Sequence, residues 1–207
     1  MNDFGAVTTP ITGDRFELAE TSAREVLRAA TQGPHERLHL HVGFASVKDG
    51  TITRPDYRAL LTRLYGFYLP FERAVGVDGV RTQWLAQDLA WLGTDASIFA
   101  KIRPCPDIPA YEGAERRLGA LYVVEGSALG GRQLFRGLDR LLGAGSIEGR
   151  RFFAGHGAGT GAAWLDYLAR LASVGSEPIG RAALINAAVE TFEVFETWLG
   201  GWGDMTR

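Results

Sequence analysis

The sequence predicts an all-α, multi-helical bundle, and three observations carry that prediction. Apolar residues recur at three- and four-residue steps, start and stop residues bracket those runs, and no segment alternates apolar and polar residues between turn signals. The longest stripe, Tyr57, Leu60, Leu61, Leu64, Tyr65, Tyr68, Phe71 and Val75, makes one long amphipathic helix. Thr53 and Asp56 form a capping-box-like start, Pro55 sits in the first turn where its missing N–H is harmless, and Gly76 ends the run. The same reasoning predicts helices over residues 22–32, 82–92, 110–125, 134–142, 162–171 and 181–199. Prolines 104, 106 and 109 stiffen one connector, and the glycine-rich stretch 143–161 holds the most flexible connections. The expected layout is a mobile N-terminal arm over residues 1–20, one helical domain over 21–200 and a short tail over 201–207.

Composition narrows the function classes. The chain of 207 residues is 46% apolar and 22% charged, which is an ordinary globular balance and enough length for a sizeable core. Acidic side chains outnumber basic ones, 24 to 22, so nucleic acid is not an expected partner. A single cysteine, Cys105, cannot make an internal disulfide, which points to the cytoplasm. Charged residues interrupt every long apolar stretch, so no membrane span is expected.

Three of the four histidines, His35, His39 and His41, crowd the end of the first helix, and His156 lies in the glycine-rich stretch. His35-Glu36-Arg37-Leu38-His39 spells H-E-x-x-H, which on a helix places two imidazoles on one face to bind zinc while the Glu activates water. A second reading uses one histidine only, as the axial ligand of heme iron in a pocket between helices.

The segment Glu125-Gly126-Ser127-Ala128-Leu129-Gly130-Gly131 bears on that choice. Glycine costs roughly 1 kcal/mol relative to alanine inside a helix, so three of them in an otherwise helical pattern ask for a reason. One reason is a break between two helices. The other is a kinked helix whose bare backbone lies close to a flat ligand.

Two ordered blocks resemble the heme oxygenases, especially the bacterial, biliverdin-producing branch often linked to bacteriophytochromes. Residues 27–38, Leu-Arg-Ala-Ala-Thr-Gln-Gly-Pro-His-Glu-Arg-Leu, resemble the proximal helix and place His35 on the ligand position. Residues 118–131, from Leu118 through Tyr122 and Glu125 to Gly131, are similar to the bacterial form of the distal helix. The likeness runs from about Leu27 to Leu199. It implies a fold that holds heme between a proximal and a kinked distal helix and opens the ring with O2 and electrons from an external donor such as ferredoxin or a reductase. Biliverdin, ferrous iron and carbon monoxide are the implied products. Heme is then both substrate and cofactor, with His35 as the iron ligand and Gly126, Ser127, Gly130 and Gly131 as the distal wall.

The resemblance has departures and gaps. Well-known members carry an acid in a G-D-x-S-G-G pattern, and counting back from Gly130 and Gly131 the matching position here is Ser127. Pro34 removes one N–H and predicts a new turn beginning at Gly33. By resemblance, Arg28, two turns before His35, and Tyr122 contact the heme propionates, with Arg170 as a weaker candidate and Gln32 standing where a second cation is expected. Arg132, Arg136 and Arg140 form a basic stripe, read either as a solvated face beside Asp139 or as a docking surface for an acidic electron-transfer protein. A bacteriophytochrome is the implied recipient of biliverdin. Two alternatives stay open: a noncatalytic heme carrier that keeps His35, and a zinc hydrolase that needs both His35 and His39.

Overall fold

The computed structural model describes residues 22–174, 178–200 and 202, so the predicted arm and, apart from Trp202, the predicted tail lie outside the described residues. Among the described residues there are ten α-helices, one 3-10 turn at residues 157–159 and no strand. None of these helices is long and apolar enough to cross a membrane.

Helix α1, Ala23–His39, starts at a complete capping box, in which Ser22 Oγ accepts from the Glu25 N–H and Glu25 Oε2 accepts from the Ser22 N–H. It runs straight through Pro34, so the turn expected at Gly33 does not form. The reason is local: a proline ring crowds the Cβ of the residue before it, and Gly33 has none. Beyond the proline, Arg37 makes a bidentate pair with Glu196, at 2.6 and 2.8 Å, that fastens the end of α1 to the last helix. A short helix α2, Val42–Lys48, follows at once, with His41 Nδ1 accepting from the Gly43 N–H as its cap.

Helix α3, Arg54–Val75, is the long helix the sequence predicts, capped by Thr53 and closed by Gly76 in the left-handed conformation, φ 72°. Tyr57, Leu60, Leu61, Leu64, Phe67, Tyr68, Phe71 and Val75 are buried along it, each contributing roughly 1.5–3 kcal/mol of apolar transfer where fully buried. Helix α4, Val80–Trp91, has no cap of its own. Instead Glu72 from α3, 1% exposed, accepts from the N–H groups of Arg81 and Thr82. A one-turn helix α5, Ala96–Phe99, leads into the proline-rich connector, where the buried Cys105 donates its N–H to the Gly66 carbonyl at 2.8 Å.

Helix α6, Gly113–Gly137, passes unbroken through all three glycines, which overturns the reading of that segment as a gap between helices. It lies against α10, Pro178–Gly200, with α1 packed on another part of α10 and α9, Thr160–Val174, against α6. Gly119 makes the closest approach, because a Cβ there would meet the backbone of Leu184. The expected helix over 134–142 is instead the end of α6 and a separate turn, α7, Asp139–Leu142.

The glycine-rich stretch is tied down rather than loose. Arg150 is fully buried and donates to Asp139 Oδ1 and the Phe135 carbonyl, both at 2.7 Å, and to the carbonyls of Gly143 and Ser146. The one-turn helix α8, Arg151–Ala154, is then capped from across the fold, since Asp88 of α4 accepts from the Arg151 N–H at 2.7 Å and the Phe152 N–H at 2.9 Å.

Burial pushes the Asp88 carboxyl up to about 6, against the opposing pull of its two N–H donors and of Arg151. A folded-state value raised above the ordinary 3.8 means that the group's favourable contribution is complete below pH 3.8 and is lost as pH rises through about 6. The melting temperature of the wild type relative to Asp88→Asn is therefore expected to fall between pH 3.8 and about 6. A difference that grows over that interval would show that hydrogen bonding, not burial, dominates.

Candidate functional site

Because α1 and α6 both rest on α10, a cleft remains between them, with about 1250 Å³ of atom-free space including its mouth. Phe192 and Phe195 of α10, Leu64, Phe67 and Tyr68 of α3, and Phe152 and Phe153 of α8 form its apolar floor and back. His35, Leu38 and His39 of α1 make one wall. Val123, Val124, Gly126, Ser127, Ala128, Gly130 and Gly131 of α6 make the other. A second, more polar lobe shares His35, Gly126, Ser127 and Phe192 with the first and adds Arg24, Arg28, Gln32 and Tyr122.

The glycines of α6 divide into two kinds. A Cβ added at Gly126 or Gly130 would meet nothing within 4 Å, so the helix presents bare backbone to open space there. At Gly131 a Cβ would lie 2.8 Å from the Phe153 carbonyl oxygen, so that glycine lets α6 pack on α8 although it also borders the cleft. Ser127 donates its hydroxyl to the Val124 carbonyl of its own helix, at 2.9 Å, which leaves its oxygen as an acceptor. Beside it stands Tyr68, a wholly buried phenol pushed up to about 12 mainly by burial, which stays protonated as a donor. Arg81 of α4 also borders the cleft and pairs at 2.9 Å with Glu125, the two side chains only 11% and 15% exposed.

On the opposite wall, burial holds the His35 imidazole below its ordinary value, with His39 pushing the same way, so it is neutral at neutral pH. Its Nε2 lies 3.3 Å from Nε2 of His39. Nε2 of His41 lies 3.2 Å from the Leu199 carbonyl and Nδ1 caps α2, which makes His41 structural. His156 borders the cleft with its ring against Trp84, centroids 5.1 Å apart. Among the described residues no group of three or more His, Cys, Asp or Glu could hold a metal ion, so His35 and His39 lack the third protein ligand that a catalytic zinc site uses.

At the polar lobe, burial raises the Tyr122 phenol, while Thr31 and the charges of Arg24 and Arg28 lower it, so these groups share one edge. Gln32 is engaged with Glu36 at 2.8 Å, and Arg24 lines the lobe together with Arg28. Arg170, in contrast, is exposed on α9 and borders neither lobe. The structure thus brings His35, Gly126, Ser127, Gly130, Gly131, Arg28 and Tyr122 around one cleft and leaves Arg170 outside. Sequence reasoning missed Arg24, Tyr68 and Arg81. Arg24 is legible as the residue one turn before Arg28, whereas Tyr68 and Arg81 reach the cleft only through tertiary packing.

Replacement by alanine separates the two kinds of glycine. Gly131→Ala is expected to destabilise by roughly 1–3 kcal/mol through overpacking on α8, while Gly126→Ala keeps or raises the melting temperature and places a methyl group in the cleft. Thermal unfolding of both variants checks this, and equal losses would contradict it.

The family model described as heme oxygenase matches residues 21–200. No curated protein sequence matches the chain. Among solved structures, the fold is similar to heme oxygenase from Leptospira interrogans, with 16% identity, TM-score 0.71, and 86% of this chain and 98% of that one covered. It is similar also to heme oxygenase-1 from the cyanobacterium Synechocystis in complex with heme, at 16% identity and TM-score 0.70, covering 90% of this chain and 94% of that one. A third is the NO- and CO-bound heme oxygenase from Neisseria meningitidis, at 25% identity and TM-score 0.65, with coverages of 88% and 92%. With the family model spanning nearly every described residue, and a neutral histidine facing bare helical backbone across an apolar cleft, this chain belongs to the heme oxygenase family.

Proposed function

We propose that this family member seats heme between α1 and α6, with Nε2 of His35 as the axial iron ligand and Gly126, Ser127, Gly130 and Gly131 as the distal wall. The observation that carries the reading is the open space beside Gly126 and Gly130 on the wall facing His35. The residues fit the group on chemical grounds. An apolar slot suits the macrocycle, a neutral imidazole suits iron, and Arg24, Arg28 and Tyr122 at the polar lobe suit two carboxylates at one edge. Bound heme supplies the oxidisable ring and the iron centre that takes electrons and O2, giving biliverdin, ferrous iron and carbon monoxide.

The protein's own part is binding, orientation and proton placement. Bare backbone at Gly126 and Gly130 leaves room for a small molecule over the ring, which any Cβ would reduce. Ser127 stands at the position of the family's distal acid, and here its acceptor hydroxyl, the protonated Tyr68 and Arg81 line the same volume, with Glu125 paired to Arg81. We assign water ordering on that side to this set. Glu125, two residues earlier, pairs with Arg81 and holds that guanidinium at the border of the cleft.

The exposed stripe Arg132, Arg136 and Arg140 supports docking of an acidic electron donor, such as a ferredoxin or a reductase, because Asp139 is already paired with Arg150 and does not neutralise it. A bacteriophytochrome as recipient of biliverdin and a cytoplasmic setting complete the reading; they rest on the sequence likeness and on the lone, buried Cys105.

Titration of the purified protein with hemin is expected to shift the Soret band, and ascorbate or reduced ferredoxin in air then converts it to a broad red bilin band. His35→Ala is expected to abolish that conversion. A stable heme spectrum without bilin would make the protein a heme carrier, and no Soret shift at all would sink both heme readings. Arg28→Ala and Tyr122→Phe are each expected to weaken hemin binding by about tenfold, the worth of one charge-assisted hydrogen bond. Arg170→Ala is expected to leave it unchanged.

A further inference from the structure

His35 and His39 lie four residues apart on one face of α1, and both open onto the cleft. Their Nε2 atoms are 3.3 Å apart, and their rings meet edge to face with centroids at 4.5 Å. Two nitrogens bound to one ion at about 2.0–2.1 Å with a tetrahedral angle between them stand roughly 3.3–3.4 Å apart. In the metal-free chain one ring N–H donates to the other nitrogen across this gap, and the same separation matches the bite of a first-row transition-metal ion, which would replace that proton, whereas one axial position of heme iron takes a single imidazole.

We propose that His35 and His39 form a bidentate site for a free divalent transition-metal ion, completed by water, and that this ion and heme exclude one another because both need Nε2 of His35. Glu36 adds no ligand, being held by Gln32 at 2.8 Å, and no third metal-ligating side chain joins the pair among the described residues. The site is thus a chelating grip open to exchange, unlike the closed or three-ligand sites of zinc proteins. The exclusion rests on the reading of His35 as axial ligand. Under that reading the ion the pair meets in turnover is ferrous iron freed from the opened ring, and its departure from His39 and His35 must precede reloading with heme.

Zinc, which has no redox chemistry of its own, is the probe. Calorimetric titration of the heme-free protein with zinc chloride is expected to show one ion per chain. His39→Ala and His35→Ala are each expected to lose at least about tenfold in zinc affinity, a loss of the size already seen when only a supporting contact of a metal site is removed. Hemin titration of the wild type in saturating zinc is expected to need correspondingly more hemin, and the same titration of His39→Ala to ignore zinc. Far-UV circular dichroism checks that α1 persists in both variants, and His39→Gln provides a second truncation of the grip.

Zinc affinity unchanged in His39→Ala and His39→Gln, or a wild type that takes up hemin with an affinity indifferent to saturating zinc, overturns the proposal. A chain that takes up no hemin yet loses zinc with His39→Ala overturns the heme reading and upholds the metal site. The two failures are therefore distinguishable.

Discussion

The cleft depends first on how closely α6 can approach α10. Gly119 has no side chain, so the backbone of α6 settles on the backbone of Leu184, and the helix is fixed along α10 at that point. Helix α1 rests elsewhere on the same helix, joined by the bidentate Arg37–Glu196 pair. A bulkier residue at position 119 would push α6 away from α10 and alter the separation of the two walls. The distance across the cleft is thus set by a backbone contact outside it, and His35 and Gly126 face each other as a consequence.

A second layer of constraint comes from buried carboxylates that do the work of missing caps. Helices α4 and α8 lack side-chain caps from their own N-cap residues, and buried carboxylates of other helices reach them, Glu72 of α3 and Asp88 of α4. The sequence of dependence is α3 to α4 through Glu72, then α4 to α8 through Asp88, then α8 to the cleft through Phe152 and Phe153. Since Arg81 leaves the same capped turn of α4 and pairs with Glu125, the ion pair at the border of the cleft inherits its position from Glu72. The exposed pair Arg37–Glu196 adds little energy by comparison, because surface ion pairs are worth about 0–1 kcal/mol.

The parts of this architecture legible in the sequence are those encoded locally. The apolar period of α3, its Thr53 cap and its Gly76 stop were all readable, and each has the expected geometry. The end of α1 is not legible locally, because Pro34 argues for a new turn while Gly33 removes the clash that would cause one. Helix α2 is only seven residues long and carries no periodic signal. Arg28 and Tyr122, which the family resemblance implies, meet at one edge, whereas Arg170, implied more weakly by the same resemblance, is exposed and borders neither lobe. Asp88, Glu72 and Arg81 were illegible for a common reason: a carboxylate that caps a helix from another element leaves no mark in local spacing.

The glycine segment illustrates how one sequence feature can answer two demands. Read as composition, Gly126, Gly130 and Gly131 are a single weak stretch of helix. In the structure Gly131 serves the contact of α6 with α8, and Gly126 and Gly130 serve the open side. The helix survives three unfavourable residues because its other faces are held by α10 and α9 and by α8 at Gly131 itself. Bare backbone toward a ligand is tolerable only where packing on the remaining faces supplies what helix propensity does not. That is why the glycine-lined wall of the cleft belongs to a helix packed on several sides and not to one at the edge of the bundle.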